Sequence, residues 1–223
     1  MLLNYSNFFN YSKNNFLMLT SKKILSNYKI NEIISKISLD TNTFASLNQV
    51  HSDKVVFANK SGNKGKADGL ITHIDNNLIL SIMTADCLPI FIYDPKTGFF
   101  SLIHAGWKGV VSKIHQKVLL DMNRLGSKFE DIFVAIGPSI KECCFEVKND
   151  VVSKFDNKYV TMNNNKLYIN LLQNILDDLI YLGVLVDNIS FDETCTYDDS
   201  RCCSFRRDGS SAGRMFSLMK YLK

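Results

Sequence analysis

The apolar positions of the chain change period several times, and each change marks an element. Leu78 to Met83 and Leu88 to Tyr93 are unbroken apolar runs of strand length, separated by Thr84-Ala85-Asp86-Cys87. Phe99 to Ile103 continues the strand pattern after a turn over Asp94 to Gly98, and Val55 to Ala58 is a shorter run of the same kind. The period then lengthens. Val111, Ile114, Val118, Met122 and Leu125 recur at three and four and predict an amphipathic helix, starting near Val110 and stopped by Gly126. Ile132 to Ile136 returns to a buried strand, broken by Gly137-Pro138. Leu172, Ile175, Leu176, Leu179 and Leu182 predict a second amphipathic helix, stopped by Gly183. Ser204 to Arg207 and Met215 to Met219 read as the last strands. The polar run Lys60 to Lys66 reads as a loop, and Asn163 to Asn165 as a hairpin or loop tip. Strands interleave with helices, yet several strands are close enough to be joined by hairpins. The expected fold class is therefore α/β of the mixed α+β kind, with mixed sheets flanked by helices.

Length and balance narrow the class. With 223 residues, 46% hydrophobic and 22% charged, the chain suits one domain, taken here as 1–223, with a full core. A net charge of +4 is too mild to point to nucleic acid and is compatible with a small anionic substrate. The opening residues lack a basic start, a continuous apolar stretch and a small-residue cleavage site. No apolar run approaches the roughly 20 residues needed to span a bilayer. A cytoplasmic location without membrane contact is the expectation, and the six cysteines, four of them in adjacent pairs, are read as thiols. Cys143 and Cys144 are taken as small buried residues.

Three segments place a metal-competent side chain beside a strand end: Val50-His51-Ser52, Asp86-Cys87-Leu88 and Ile103-His104-Ala105. Two imidazoles and one thiolate suit zinc, with copper possible. Three protein ligands leave a fourth position open, which is the pattern of catalytic rather than structural zinc. The wide spacing carries no local signature. On spacing alone, a buried Cys87 and two hydrogen-bonded core histidines are the simpler reading.

The order of the surrounding blocks adds to this. Asn48-Gln49-Val50-His51-Ser52, Ala67-Asp68-Gly69-Leu70-Ile71-Thr72, Thr84-Ala85-Asp86-Cys87-Leu88-Pro89-Ile90 and His104-Ala105-Gly106-Trp107-Lys108-Gly109 follow one another. They are joined by Gly137-Pro138-Ser139-Ile140, Cys144-Phe145-Glu146-Val147, Thr194-Cys195-Thr196-Tyr197 and Ser204-Phe205-Arg206-Arg207-Asp208-Gly209 with Gly213-Arg214. Together they resemble the YfiH-like laccase-domain family, also called multicopper polyphenol oxidase, purine nucleoside phosphorylase or peptidoglycan editing factor. The resemblance runs from about position 47 to the end. Residues 1–46 match the family poorly and are open to reading as an arm, an extra strand or a lid. The resemblance implies a layered α/β fold and a metal held by His51, Cys87 and His104, which would also be the catalytic residues.

Other residues take on roles beside these. Arginine forks suit phosphate or carboxylate, so with the resemblance Arg206 or Arg207 is expected to contact a substrate anion, and Lys108 could do similar work. Without it, surface ion pairs are the simpler reading of the arginines. Asp86 is expected at the substrate site, where it would orient a ligand histidine or cap a turn. Asp68, in Ala67-Asp68-Gly69, reads as a structural turn residue. Trp107 suits stacking or core packing, and His73 and His115 read as bystanders.

The implied function is zinc-dependent phosphorolysis of purine nucleosides, with adenosine deaminase and methylthioadenosine phosphorylase activity as companions. The partners are a purine nucleoside and phosphate, and nothing bears on oligomeric state. One alternative makes Cys87 a nucleophile with His51 or His104 as base, in a cysteine hydrolase acting in peptidoglycan precursor editing. Another is a binding protein for such a precursor. Copper polyphenol oxidation ranks last, because a multicopper centre needs more ligands than four histidines supply.

Overall fold

The computed structural model describes residues 5–223 and arranges them in four layers. The first sheet contains β1 (Phe8–Asn10), β2 (Phe16–Ser21), β3 (Phe44–Asn48), β5 (Gly62–Lys66), β7 (Ile79–Thr84) and β15 (Met215–Tyr221), in the order β1-β2-β15-β7-β3-β5. The second contains β4 (Val55–Phe57), β6 (Gly69–His73), β8 (Leu88–Tyr93), β9 (Phe99–Ala105), β10 (Phe133–Ile136) and β14 (Ile189–Phe191), in the order β14-β10-β8-β9-β6-β4. A small third sheet pairs β11 (Glu146–Val147) and β12 (Val160–Asn163) on either side of β13 (Lys166–Ile169). Both large sheets mix parallel and antiparallel neighbours, as the hairpin spacing suggested.

The unbroken apolar runs follow from burial on both faces of a strand. In β8, Leu88, Ile90 and Ile92 pack against the helices, while Phe91 and Tyr93 point into the inter-sheet core with Phe16, Met18, Leu80 and Phe100. Strand β2 divides in the same way. Phe16 and Met18 face the second sheet, and Leu17 and Leu19 face Ile33, Ile34 and Ile37 of helix α1 (Ile30–Lys36) and the residue after it. Two longer helices cover the second sheet, α3 (Ile114–Arg124) and α5 (Leu171–Tyr181), with the short α4 (Asn149–Val152) between them in the chain. Their stripes Ile114, Val118, Leu119, Met122 and Ile175, Leu179 close one apolar cluster. The opening segment, from Phe8 onward, is thus part of the first sheet and its covering helix.

Three details depart from the sequence reading. The polar run before Lys66 is an edge strand, β5, in parallel register with β3 through a shift between Ser46 and Asn48; Gly62 and Gly65 sit at positive φ and hid its period. The helix expected from Val110 is two pieces, α2 (Trp107–Val111) and α3, because Lys113 adopts φ 58° and breaks the ladder. The Ser204 to Arg207 segment forms a short helix, α6 (Phe205–Asp208), rather than a strand. Ser204 caps it by accepting from the Arg207 amide, and four residues are too few to show a period. The Asn163–Asn165 tip is a hairpin turn as expected, with Asn164 and Asn165 at φ 48° and 59°. Among the described residues, no helix is long and apolar enough to cross a membrane.

Candidate metal centre and its pocket

The chain crosses between the large sheets at two points that matter here. After β3 it leaves the first sheet for β4, and His51 lies on that crossing. After β7 it leaves again for β8, and Cys87 lies there. His104 comes from the end of β9, paired with Pro89 of β8. Two residues at the crossings hold left-handed backbone, His51 at φ 57° and Asp86 at φ 83°, uncommon for any residue but glycine though Asn, Asp and His adopt it more often than the rest. Such conformations cost of order 1–3 kcal/mol each and persist where surrounding structure imposes them.

Hydrogen bonds to two buried carboxylates impose them. Asp68 is fully buried and accepts from the backbone amides of Val50, His51 and Ser52, at 3.3, 3.0 and 2.6 Å, and from the Ser52 hydroxyl at 2.7 Å. The same carboxylate meets His104 Nδ1 at 2.9 Å. Upstream, the Gln49 amide pairs with both backbone groups of Met83, fixing the approach to His51. Asp86 does something different. Its carboxylate accepts from the Thr196 hydroxyl at 2.6 Å and the Arg206 amide at 2.7 Å, and its carbonyl accepts from the Ile140 amide at 2.9 Å. Thus Asp86 clamps the C-terminal segment against Cys87 and touches no ligand histidine. The carboxylate that orients a histidine is Asp68, which the sequence reading had assigned to a turn.

The three candidate ligand atoms converge. Those of His51, Cys87 and His104 all lie within 4.8 Å of one another. Cys87 Sγ is 3.9 Å from His51 Nε2, and the two imidazoles stand edge to face with centroids 4.8 Å apart. With its Nδ1 engaged by Asp68, His104 has Nε2 left to face the thiol. Gly106 lies against this group. A Cβ built there would come within 3.0 Å of both Cys87 Sγ and His51 Cδ2. Donor set and spacing fit a single zinc-type cation, with the neighbouring carboxylate holding a ligand imidazole as such sites require.

The electrostatics of the metal-free group agree. Burial pushes the Cys87 thiol up, but hydrogen bonds and charge from His104 and His51 outweigh it and bring it down to about 7. Burial pushes His104 down, but Asp68 and Cys87 outweigh it and hold it up at about 9. Asp68 is desolvated too, yet His104 and Ser52 keep its carboxyl well below the usual carboxylate range. The Cys87 thiolate and the His104 imidazolium thus favour each other's charged form.

These residues open on a cavity of about 810 Å³. Trp107, Phe145 and Phe205 line it together with Asp86, Arg206 and Arg214. Arg206 Nη1 donates to the carbonyls of Glu146 and Cys144, and its guanidinium lies 5.3 Å from the Phe145 ring. Its Nε and Nη2 have no partner among the described residues. The other expected anion contacts sit elsewhere. Arg207 is turned into the C-terminal segment, donating to the carbonyls of Thr196, Tyr197 and Cys202 and pairing with Asp208. Lys108 lies outside the cavity lining with Nζ over the Trp107 ring. His115 is buried against Asp178 and His73 meets the Thr97 carbonyl, so both stand apart from the centre. Cys143 is exposed and Cys144 half-buried, rather than both buried, because their loop runs along the surface beside the pocket.

The mixed α/β fold thus brings His51 and Cys87 from the sheet crossings and His104 from the end of β9 together beneath an aromatic pocket, as a candidate metal site. The family model for multi-copper polyphenol oxidoreductase laccase matches residues 20–221, and the chain belongs to that family. A purine nucleoside phosphorylase of Clostridium acetobutylicum is 33% identical over 180 residues, covering 78% of this chain and 75% of the relative. An adenosine deaminase, RL5, from an unknown prokaryotic organism is 34% identical over 163 residues, covering 67% of this chain and 60% of the relative. The crystal structure of the Bacillus licheniformis hypothetical protein YfiH superposes with a TM-score of 0.86, at 23% identity over 97% of both chains.

Proposed function

We propose that this protein is a metal-dependent purine nucleoside phosphorylase, with His51, Cys87 and His104 as the metal ligands and catalytic centre and zinc as the cation. The observation that carries the reading is the convergence of these three side chains at a cavity that also holds aromatic faces and a part-free guanidinium. The names of the relatives supply the substrate class: one is a purine nucleoside phosphorylase and another an adenosine deaminase. A bound zinc-type cation supplies Lewis acidity toward an oxygen or nitrogen of the substrate.

The chain's own residues do the rest. Trp107, Phe145 and Phe205 offer flat apolar surface on which a purine can lie. Arg206, steadied by the Glu146 and Cys144 carbonyls, presents Nε and Nη2 to an anion. Arg214, also at the pocket, anchors one nitrogen on the Ala212 and Gly213 carbonyls. Asp68 keeps His104 in one tautomer by accepting from Nδ1, and the Asp86 clamp keeps Arg206 over the cavity.

The test is purified protein incubated with adenosine, inosine or guanosine, with and without phosphate, and followed by chromatography. Phosphate-dependent release of free base supports the reading. Base or inosine release that ignores phosphate reassigns the chemistry to hydrolysis or deamination. A thiol-nucleophile reading draws on the lowered Cys87 thiol. It predicts turnover that survives a strong chelator, whereas the metal reading predicts its loss.

A further inference from the structure

A second group of sulfur ligands lies outside this centre. Cys143, Cys144, Cys195 and Asp198 bring three thiols and a carboxylate oxygen within 4.8 Å of one another. Cys143 Sγ is 3.2 Å from Cys144 Sγ, and the Asp198 carboxylate lies 3.6 and 3.3 Å from those two sulfurs. A tetrahedral zinc with ordinary bond lengths sets its sulfurs about 3.7 Å apart and sulfur to oxygen about 3.5 Å apart. The group already stands close to that size.

Its loops are held from behind. The Cys144 and Phe145 amides both donate to the Lys141 carbonyl, closing a tight turn under the vicinal pair. Ser139 and Cys195 form a parallel bridge, with the Thr196 amide donating to the Ser139 carbonyl. The Asp199 amide closes on the Cys195 carbonyl, and Arg207 gathers the carbonyls of Thr196 and Tyr197. Ligands from two separate stretches therefore meet on braced backbone, and Cys143 and Asp198 open to solvent.

We infer that Cys143, Cys144, Cys195 and Asp198 form a second metal site, for a soft zinc-class cation, distinct from the His51–Cys87–His104 centre. Three thiolates and one carboxylate complete a tetrahedral shell, the closed pattern of a structural site. Its place in the fold gives it a consequence. The Cys144 carbonyl holds Arg206, and Thr196, next to Cys195, holds Asp86. A cation there staples two stretches that carry one wall of the pocket.

The experiment is titration of metal-stripped protein with zinc chloride, read by equilibrium metal content, in wild type, C87A, C195S and D198N. Two equivalents in wild type, one in C87A and one in C195S are expected. D198N, a change at an exposed position, keeps the first equivalent and weakens the second. Cadmium in place of zinc gives a thiolate charge-transfer band, and C87A should retain most of its intensity because three of the four metal-competent thiols remain. A wild type that binds one equivalent, lost in C87A and untouched in C195S and D198N, overturns the second site. The converse pattern, one equivalent lost only in C195S, keeps this site and removes the metal from the proposed catalytic centre. D198N also guards against misfolding in the cysteine variant.

Discussion

The Asp68 carboxylate meets His104 Nδ1 at 2.9 Å while the same side chain gathers three backbone amides of the His51 segment. One buried carboxylate therefore positions two of the three proposed metal ligands. Asp68→Asn keeps the size but gives up charge and one acceptor. The expected result is a 10–100-fold loss of metal affinity, the range known for groups that orient ligand histidines. Metal titration of the folded variant checks this. Unchanged affinity would show that Asp68 serves only the loop.

Metal uptake should depend on pH in a stated direction. Binding needs the Cys87 thiolate and a His104 nitrogen free of its proton. The Cys87 thiol is lowered to about 7, so its thiolate is present above that pH. His104 is raised to about 9, so its imidazolium persists until that pH and a proton must leave when metal binds. Apparent affinity of this centre is expected to climb most steeply below about 7, more gently from about 7 to about 9, and to flatten beyond. In metal-free protein, alkylation of Cys87 should be half-maximal near pH 7, well below an ordinary thiol. Isothermal titration in buffers of differing ionisation enthalpy counts the released proton.

Gly106 offers a test confined to the centre. Its backbone, φ −77° and ψ 173°, is open to any residue, so alanine brings no conformational strain. A Cβ would nonetheless press within 3.0 Å of Cys87 Sγ and His51 Cδ2. Gly106→Ala is expected to leave Tm nearly unchanged while lowering metal affinity at least about tenfold, comparable with other disturbances of ligand orientation. Thermal melting of the metal-free variant beside its metal titration separates the two effects.

The adjacent arginines should part company. Arg206 faces the pocket, so Arg206→Ala is expected to raise KM for phosphate with little change in unfolding midpoint. Arg207 bonds the carbonyls of Thr196, Tyr197 and Cys202 and pairs with Asp208. Arg207→Ala should cost about 2–3 kcal/mol of stability, the scale for losing hydrogen bonds to a charged donor. Urea unfolding and phosphate saturation curves on both variants decide it.

How much of this could be read from residues alone follows from physics. Doubly covered strands such as β8 write themselves as apolar runs, and the α5 stripe ends at a glycine with φ 101°, so both were legible. The β5 edge strand was not, because a polar, glycine-bearing edge shows no alternation. At the centre, the two histidines, the cysteine and the strand ends beside them were legible, and the family blocks joined them. The role of Asp68 was not, since a carboxylate that reaches across to position 104 has the same local signature as one that closes a turn. Arg206 and Arg207 are neighbours with equal chemistry. Only the α6 geometry turns one to the pocket and the other inward. The Cys143–Cys144–Cys195–Asp198 group escaped because half of it lies in another stretch of the chain.

The central claim is best tested by one comparison: metal content and phosphate-dependent release of base from a purine nucleoside, measured in the same preparations of wild type and Cys87→Ala. The account predicts base release by wild type, and a variant that lacks one metal equivalent and all turnover. A variant that keeps the wild-type metal content, or that still releases base at the wild-type rate, would contradict it.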